Sequence, residues 1–476
     1  MLEYKWKLLI LTTIGVFMTS LGGSTLNIAI PAKDVGITAD LGASWEIAQW
    51  IPIGFLLVLA ISLISFGRLA DIKGKRNIFL IGLFIFTVGN GLCASAFSGE
   101  LLIILYAITG IGASMLTATA IAMVTEVFPK SETGKALGIN VAGIYLGLVL
   151  GPVLGGLLVQ ALTWRSVFLV NVPIGGVLFI FGLLKLKQSE IIAKEEKFDI
   201  YGMLAFGIFL ASMLIALTLG SRIGWASLII IFLVIISICG FVAFIFIERT
   251  VEHPMLNLSL FRRNRVFAAA NTAALMNYIA TMGVGFLLSI YLQRIFDFDP
   301  AIAGLLLLPT PMMMAISSPF TGKYSDRVGT RWLCAIGMML MAFALGFLII
   351  VILYLPIEWV LLSQGILGLG IGFFSSPNQS AIMKSVEKKQ LGIASGTLST
   401  MRVTGQSTSI ALLSAILAIF ISALTLSQIL SPTPPPITED LKNDFKNGLI
   451  IAFSVTIGIC IIGTLLSLVR GKEEIH

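Results

Sequence analysis

GRLADIKGKR, Gly67 to Arg76, stands between two long apolar runs, and GKYSDRVGTR, Gly322 to Arg331, stands between two others. Both stretches carry Gly, Asp, Gly and a basic residue in the same register. A short polar hinge that recurs at equivalent places in an apolar chain points to a membrane transporter built by internal duplication.

Composition agrees with that class. Of 476 residues, 57% are hydrophobic and only 12% charged, and the mean hydropathy is +1.00, which leaves too little polar surface to cover a water-soluble globule. The net charge of +7 would suggest an acidic partner if the basic residues were clustered, but they lie mostly in short loops between apolar runs. No nucleic-acid partner is expected. A helix needs about 20 apolar residues to cross the hydrocarbon layer. Fourteen such runs are present, near 8–30, 47–67, 77–97, 101–124, 136–161, 166–186, 200–220, 226–247, 266–292, 301–321, 332–354, 358–382, 392–424 and 448–469. The apolar run after MLEYKWK is too long for a signal peptide and reads as a permanent first span.

With the amino terminus inside, only Lys33, Arg165, Arg222, Arg294, Lys442 and Lys446 of the 31 basic residues fall outside. Arg402 falls within a span and the remaining 24 lie inside, so both termini are expected to be cytoplasmic. The four cysteines fall in apolar runs without CxxC spacing and read as buried small residues. The two histidines, His253 and His476, lie in a loop and at the last position, which excludes a histidine relay or a histidine-based metal site within the membrane. No metal, cofactor or catalytic pair is expected, and the Gly-rich strings GIGASM and GLGIGF lack the strand and Lys of a phosphate loop.

Aligning the two ten-residue stretches sets Gly67 opposite Gly322. The chain then divides into an N-terminal six-helix half at 1–190, a linker with two inserted spans at 191–265, and a C-terminal six-helix half at 266–476. The expected fold is an all-α polytopic bundle of two six-helix halves plus an inserted helix pair. The proline-rich segment near 427–448 reads as a solvated loop.

Several motifs together resemble the major facilitator superfamily, in its fourteen-span drug:proton antiporter branch. The first-loop signature is matched by Gly67, Asp71, Gly74, Lys75 and Arg76. The antiporter signature is matched by GIYLGLVLGPVLGG, Gly143 to Gly156, and features of the branch by LNIAIP at Leu26 to Pro31, WRSVFLVNVPIG at Trp164 to Gly175, and Asp199, Gly202 and GSRIGW around the inserted pair. The resemblance covers essentially the whole chain. It implies alternating access, export of amphipathic drug-like compounds, proton-linked antiport, and a conformational latch at the first loop. In the second copy Gly322, Asp326, Arg327, Gly329 and Arg331 keep the turn and the charges.

Gly143, Gly147, Gly151 and Gly155 recur every fourth residue, which makes a smooth groove on one helix face, and Pro152 removes a backbone donor and favours a kink. Close packing alone would account for the groove. The resemblance implies that this segment, with Gly156, is a bending seal between the halves.

Polar residues at mid-span are costly unless they find partners or line water. Asn27, Asn271, Asn277, Asn378, Arg402 and Gln406 are therefore candidates for the substrate cavity, together with the aromatic residues Tyr106 and Phe373; interhelical hydrogen bonding is the alternative for each Asn. The expected partners are small hydrophobic or cationic solutes, lipids and the bilayer itself, taken up by a monomer. The chain departs from the family pattern at Gly22, where an acid is usual, and at Tyr106, where Arg is usual. No acidic residue lies near the middle of a span, so Asp34, Glu46 and Asp199 at span ends are the remaining candidates for a proton site. A lipid exporter or uncoupled facilitator, and a non-transporting sensor or scaffold, remain open at this point.

Overall fold

The computed structural model describes residues 3–188, 199–251, 254, 256, 258–386, 390–430 and 438–470. Within them, fourteen helices are long and apolar enough to cross a membrane: Tyr4–Ala29, Trp45–Ala70, Lys75–Ala94, Gly99–Val127, Gly138–Ala161, Arg165–Lys185, Ile200–Gly220, Leu228–Thr250, Arg265–Ile295, Pro300–Ser325, Thr330–Tyr354, Ile357–Lys384, Ile393–Phe420 and Glu439–Val469. They are called the first to fourteenth spans. Hydrocarbon offers no partner to a backbone N–H or C=O, so these apolar stretches close their hydrogen bonds internally as helices. Their polar starts supply the caps. Ser98 Oγ accepts from the Leu101 N–H at 3.2 Å, Asn264 Oδ1 from Phe267 at 2.9 Å and Thr438 Oγ1 from Leu441 at 3.3 Å. The Thr438 cap and the acidic turn behind it begin the last helix nine residues before the apolar run, in a polar stretch that reads as loop by composition.

Both ten-residue stretches turn out to be mostly helix. The second span's helix continues to Lys73 and the next starts at Lys75, leaving Gly74 alone as the joint, with φ 90° and ψ 126°. Gly329 repeats it between Val328 and Thr330, with φ 85° and ψ 152°. A side chain is strained in this backbone conformation, so the hinge is one residue that only glycine fills easily. The side chains of Asp71, Asp326 and Arg327 lie outside the described residues.

The first to sixth spans pack together, as do the ninth to fourteenth. Between the two groups the second span meets the thirteenth and the fifth meets the tenth. Of the inserted pair, the seventh span packs on the second and thirteenth, with Trp50 Nε1 donating to Thr218 Oγ1 at 3.1 Å. The eighth is held to the seventh by Ser237 Oγ, which donates to Phe209 O at 3.1 Å. Two spans that read as continuous are interrupted. The ninth breaks at Ala280 and Thr281, resumes at Met282 and ends in a π-helical turn, Tyr291–Ile295; the tenth is interrupted at Leu308, before Pro309, which has no N–H to continue the ladder.

Gly74 and Gly329 mark one face of the bundle, here the motif face. The loops of the far face are tied to one another in the N-terminal half. Trp164 Nε1 donates to Asp40 Oδ2 at 3.0 Å, Arg165 pairs with the same carboxylate, and its second amine reaches Ala96 O at 3.3 Å. Burial pushes the Asp40 carboxyl up, but the Arg165 guanidinium and the Trp164 indole more than offset that and hold it below its usual 3.8. A carboxyl lowered on folding stabilises above its unfolded value, and the contribution is lost as pH falls through the lowered one. Asp40→Asn is therefore expected to lower the melting temperature of purified protein at about pH 7 and to leave it unchanged near pH 2. An equal shift at both would show that the charge is not what holds the loops.

Candidate functional site

The first span ends at Ala29, and a helix end leaves its last carbonyls without intrahelical donors. Here the donors come from the other half. Ser289 Oγ donates to Asn27 O at 2.6 Å and Gln293 Nε2 to Ile28 O at 3.3 Å. Arg294, on the π-helical turn and 3% exposed, donates through Nε to Pro31 O at 2.6 Å. Its Nη2 faces Ala32 O at 3.2 Å, Thr38 Oγ1 at 3.4 Å and Leu430 O at 3.1 Å. A cation at a helix carboxyl end also meets the negative end of the helix dipole. Lys33 Nζ pairs with Asp297 at 2.7 Å, and the Trp45 N–H donates to Ser427 Oγ at 2.8 Å. The far face is thus closed by a cap that one half supplies to the other.

The glycine-rich face of the fifth span is divided between two partners. A Cβ on Gly143 would meet Thr13 at 2.5 Å, on Gly147 the Phe17 carbonyl at 2.7 Å, on Gly151 the Ser24 hydroxyl at 2.5 Å and on Gly155 the Thr25 Cα at 3.0 Å. These four seat the first span, inside the same half. Gly156 and Pro152 face the other half instead. A Cβ on Gly156 would meet Pro300 O at 2.5 Å and Ala301 Cα at 2.8 Å, and one on Gly304 would meet the Pro152 carbonyl oxygen.

On the motif face, Lys75 Nζ pairs with Glu126 at 2.9 Å, and Arg76 donates to Leu186 O at 2.9 Å and Leu183 O at 3.2 Å. The two basic residues join the third, fourth and sixth spans, and Arg76 satisfies carbonyls at the sixth span's end. In the second copy, the Arg331 guanidinium lies over the Trp332 ring, 5.7 Å from its centroid. Gly67 and Gly322 are within helices, where a Cβ would meet Ala118 and the Ser376 hydroxyl respectively.

Four residues expected to line the cavity stand inside a half. Tyr106 is buried, stacked on Phe55 with centroids 4.4 Å apart and edge-on to Phe168. Asn271 Nδ2 turns back to Phe267 O at 2.9 Å, and Asn277 Nδ2 contacts the Met341 sulfur at 3.0 Å. Asn378 donates to Ala270 O at 3.1 Å and accepts from the buried Arg470 at 2.8 Å, which ties three spans of one half. Of these, Asn378 has partners on neighbouring helices on both sides of its amide, whereas the buried Oδ1 atoms of Asn271 and Asn277 accept no hydrogen bond among the described residues. The other four, Asn27, Phe373, Arg402 and Gln406, are half-buried.

Arg402 is set apart by depth. It is nine residues into the thirteenth span, roughly 14 Å along a helix of 1.5 Å rise, where a guanidinium costs about 3 kcal/mol on the translocon-insertion scale. Its span presses on the break in the ninth: a Cβ on Gly405 would meet the Tyr278 Cβ at 2.7 Å and Leu275 O at 2.9 Å. The Arg402 charge acts on Tyr278 and, across the interface, on Tyr145 of the fifth span. Among the described residues it makes no ion pair.

The proton-site candidates are dispersed. Asp34 is exposed at a turn with φ 61°, Glu46 is half-buried in the first turn of the second span, and Asp199 caps the seventh span by accepting from the Gly202 N–H at 2.8 Å. Arg294 and Gln293 escape a sequence reading because they sit at the end of an apolar run, where a basic residue is ordinarily a solvated anchor. The QR pair inside YLQRIF, before any turn signal, is the one trace of them.

The family model "Major Facilitator Superfamily" matches residues 12–199 and 200–410, so the chain belongs to the major facilitator superfamily. Riboflavin transporter RibZ of Clostridioides difficile (strain 630) is 32% identical over 405 residues, which cover 84% of this chain and 86% of the relative. Multidrug resistance protein Stp of Mycobacterium tuberculosis (strain ATCC 25618 / H37Rv) is 31% identical over 431 residues, 90% of this chain and 79% of that one. Among solved structures, a bacterial homolog to the human lysosomal transporter Spinster, in an inward-facing and occupied conformation, superposes with a TM-score of 0.69 at 14% identity, covering 99% of this chain and 97% of that one. The chain is accordingly a multi-pass transporter of the plasma membrane, with the fold that the motifs implied.

Proposed function

We propose that the chain exports amphipathic organic compounds by alternating access between its two halves. With both termini cytoplasmic, as the bias of basic residues implies, the far face is outside and is the side that the cap closes. The observation that carries this reading is the cross-half cap on the first span. It closes one side with hydrogen bonds, which are reversible, and places them beside a broken helix that can bend. Relatives named for multidrug resistance and for export, such as the tetracenomycin C resistance and export protein of Streptomyces glaucescens at 28% identity over 413 residues, support the outward direction. An acid at mid-depth is absent from the sequence, so proton antiport would rest on Asp34, Glu46 or Asp199 and would require a pH-driven flux that neutralising one of them abolishes.

Cells making the protein are expected to accumulate less of at least one member of a panel of anionic, neutral and cationic dyes. In a cysteine-free background, Lys33→Cys with Asp297→Cys, joined by disulfides to a short bis-methanethiosulfonate that spans the length of the lost side chains, should restore accumulation when bridged and export again when reduced, a change of about tenfold or more each way. Unchanged accumulation of every dye would remove the export reading. Export that continues with the bridge formed would remove alternating access.

A further inference from the structure

Arg402, nine residues into its span, makes no ion pair among the described residues. Around Arg402, the fifth span has no acid between Glu132 and Glu190, the ninth none between Glu252 and Asp297, the tenth none between Asp299 and Asp326, the twelfth none between Glu358 and Glu387, and the thirteenth none between Glu387 and Glu439. Two phenols, Tyr145 of the fifth span and Tyr278 of the ninth, lie within range of the Arg402 charge. Tyr145 stands beside Ser318, and Tyr278 stands beside Ser375. Ser318 Oγ is buried, 3% exposed, with the Tyr145 phenol as its neighbour. A guanidinium with two tyrosines near it, one of them on the helix that Gly405 packs against, is matched by a flat apolar body that carries one negative group, since guanidinium oxygen-anion pairs are the stronger hydrogen bonds and aromatic rings offer faces for stacking. It repels a cation.

From this juxtaposition we propose that the site between the halves binds amphipathic organic anions, an aryl sulfonate or carboxylate being the type, with the charge on Arg402 and the ring system against Tyr145 and Tyr278. This rests on the export reading and narrows its substrate. It also accounts for the missing coupling acid. A membrane potential of about 100 mV, inside negative, is worth roughly a fiftyfold outward gradient to a monovalent anion, so export of such a substrate runs without an exchanged proton.

The test uses the full chain in liposomes with a potassium diffusion potential and two probes, radiolabelled 2-naphthalenesulfonate and ethidium. Flux of the sulfonate is expected to follow the sign of the potential and to fall at least tenfold in Arg402→Gln. Arg402→Lys, which keeps the charge but loses the planar fork, should raise KM several-fold. Sulfonate flux that Arg402→Gln leaves intact would overturn the assignment. Transport of ethidium without the sulfonate would overturn it too while leaving the export reading standing, and failure of both probes would count against both. Should Arg402→Gln not reconstitute, Arg402→Lys decides: an unchanged KM for the sulfonate refutes the site.

Discussion

Arg294→Met is expected to open the far face about a hundredfold more often than in the wild type. Methionine keeps much of the length of the side chain and removes every donor, leaving the carbonyls of Pro31 and Ala32 and the Thr38 hydroxyl oxygen, all in the other half, without the partner they have in the closed state. At about 1 kcal/mol for each hydrogen bond lost, the closed state loses about 3 kcal/mol relative to one in which water reaches those oxygens. The check is the rate at which a membrane-impermeant maleimide labels a cysteine at Ser289, after Cys93, Cys239, Cys334 and Cys460 have been replaced. A rate equal to that of the parent would mean that Arg294 fills space and holds nothing shut.

Gly304→Val is expected to act at the same closure from the other side of the bundle and to lower dye export by ten- to a hundredfold. The atoms that a Cβ would strike belong to the backbone of Pro152, on a helix already seated along the first span by four glycines, so neither partner can retreat cheaply. Overpacking of this kind costs about 1–3 kcal/mol, and here the closed state bears it. Gly304→Ala should show a smaller loss in the same direction. Wild-type export by both variants would show that the fifth and tenth spans do not meet during the cycle.

The spans were legible because the bilayer asks for a length and a composition, and both can be counted along a chain. The repeat of the hinge was legible for a similar reason: Gly74 and Gly329 take a backbone conformation that glycine alone fills easily, so the residue type reports the geometry. The cavity was legible only in part. Asn27 and Asn378 look alike in sequence, yet Asn378 has a buried Arg470 from another span beside it, and nothing local announces a partner 92 residues away. Arg402 stands out in the sequence because the cost of a charge at depth does not depend on neighbours. Arg294 was missed because the same charge at a span end is ordinary, and its importance lies in three carbonyls contributed by the opposite half and by the loop at Leu430.

The cap on the first span has a consequence for how the cycle responds to its surroundings. When the halves part on that side, the carbonyls of Asn27, Ile28, Pro31 and Ala32 must be taken over by solvent, so water enters the opening step as a reactant with a stoichiometry of its own. Lowering the activity of water with an excluded osmolyte would then slow resetting of the carrier even if no substrate, proton or voltage were changed, and a transporter for greasy molecules would in this one respect behave as a hydration sensor.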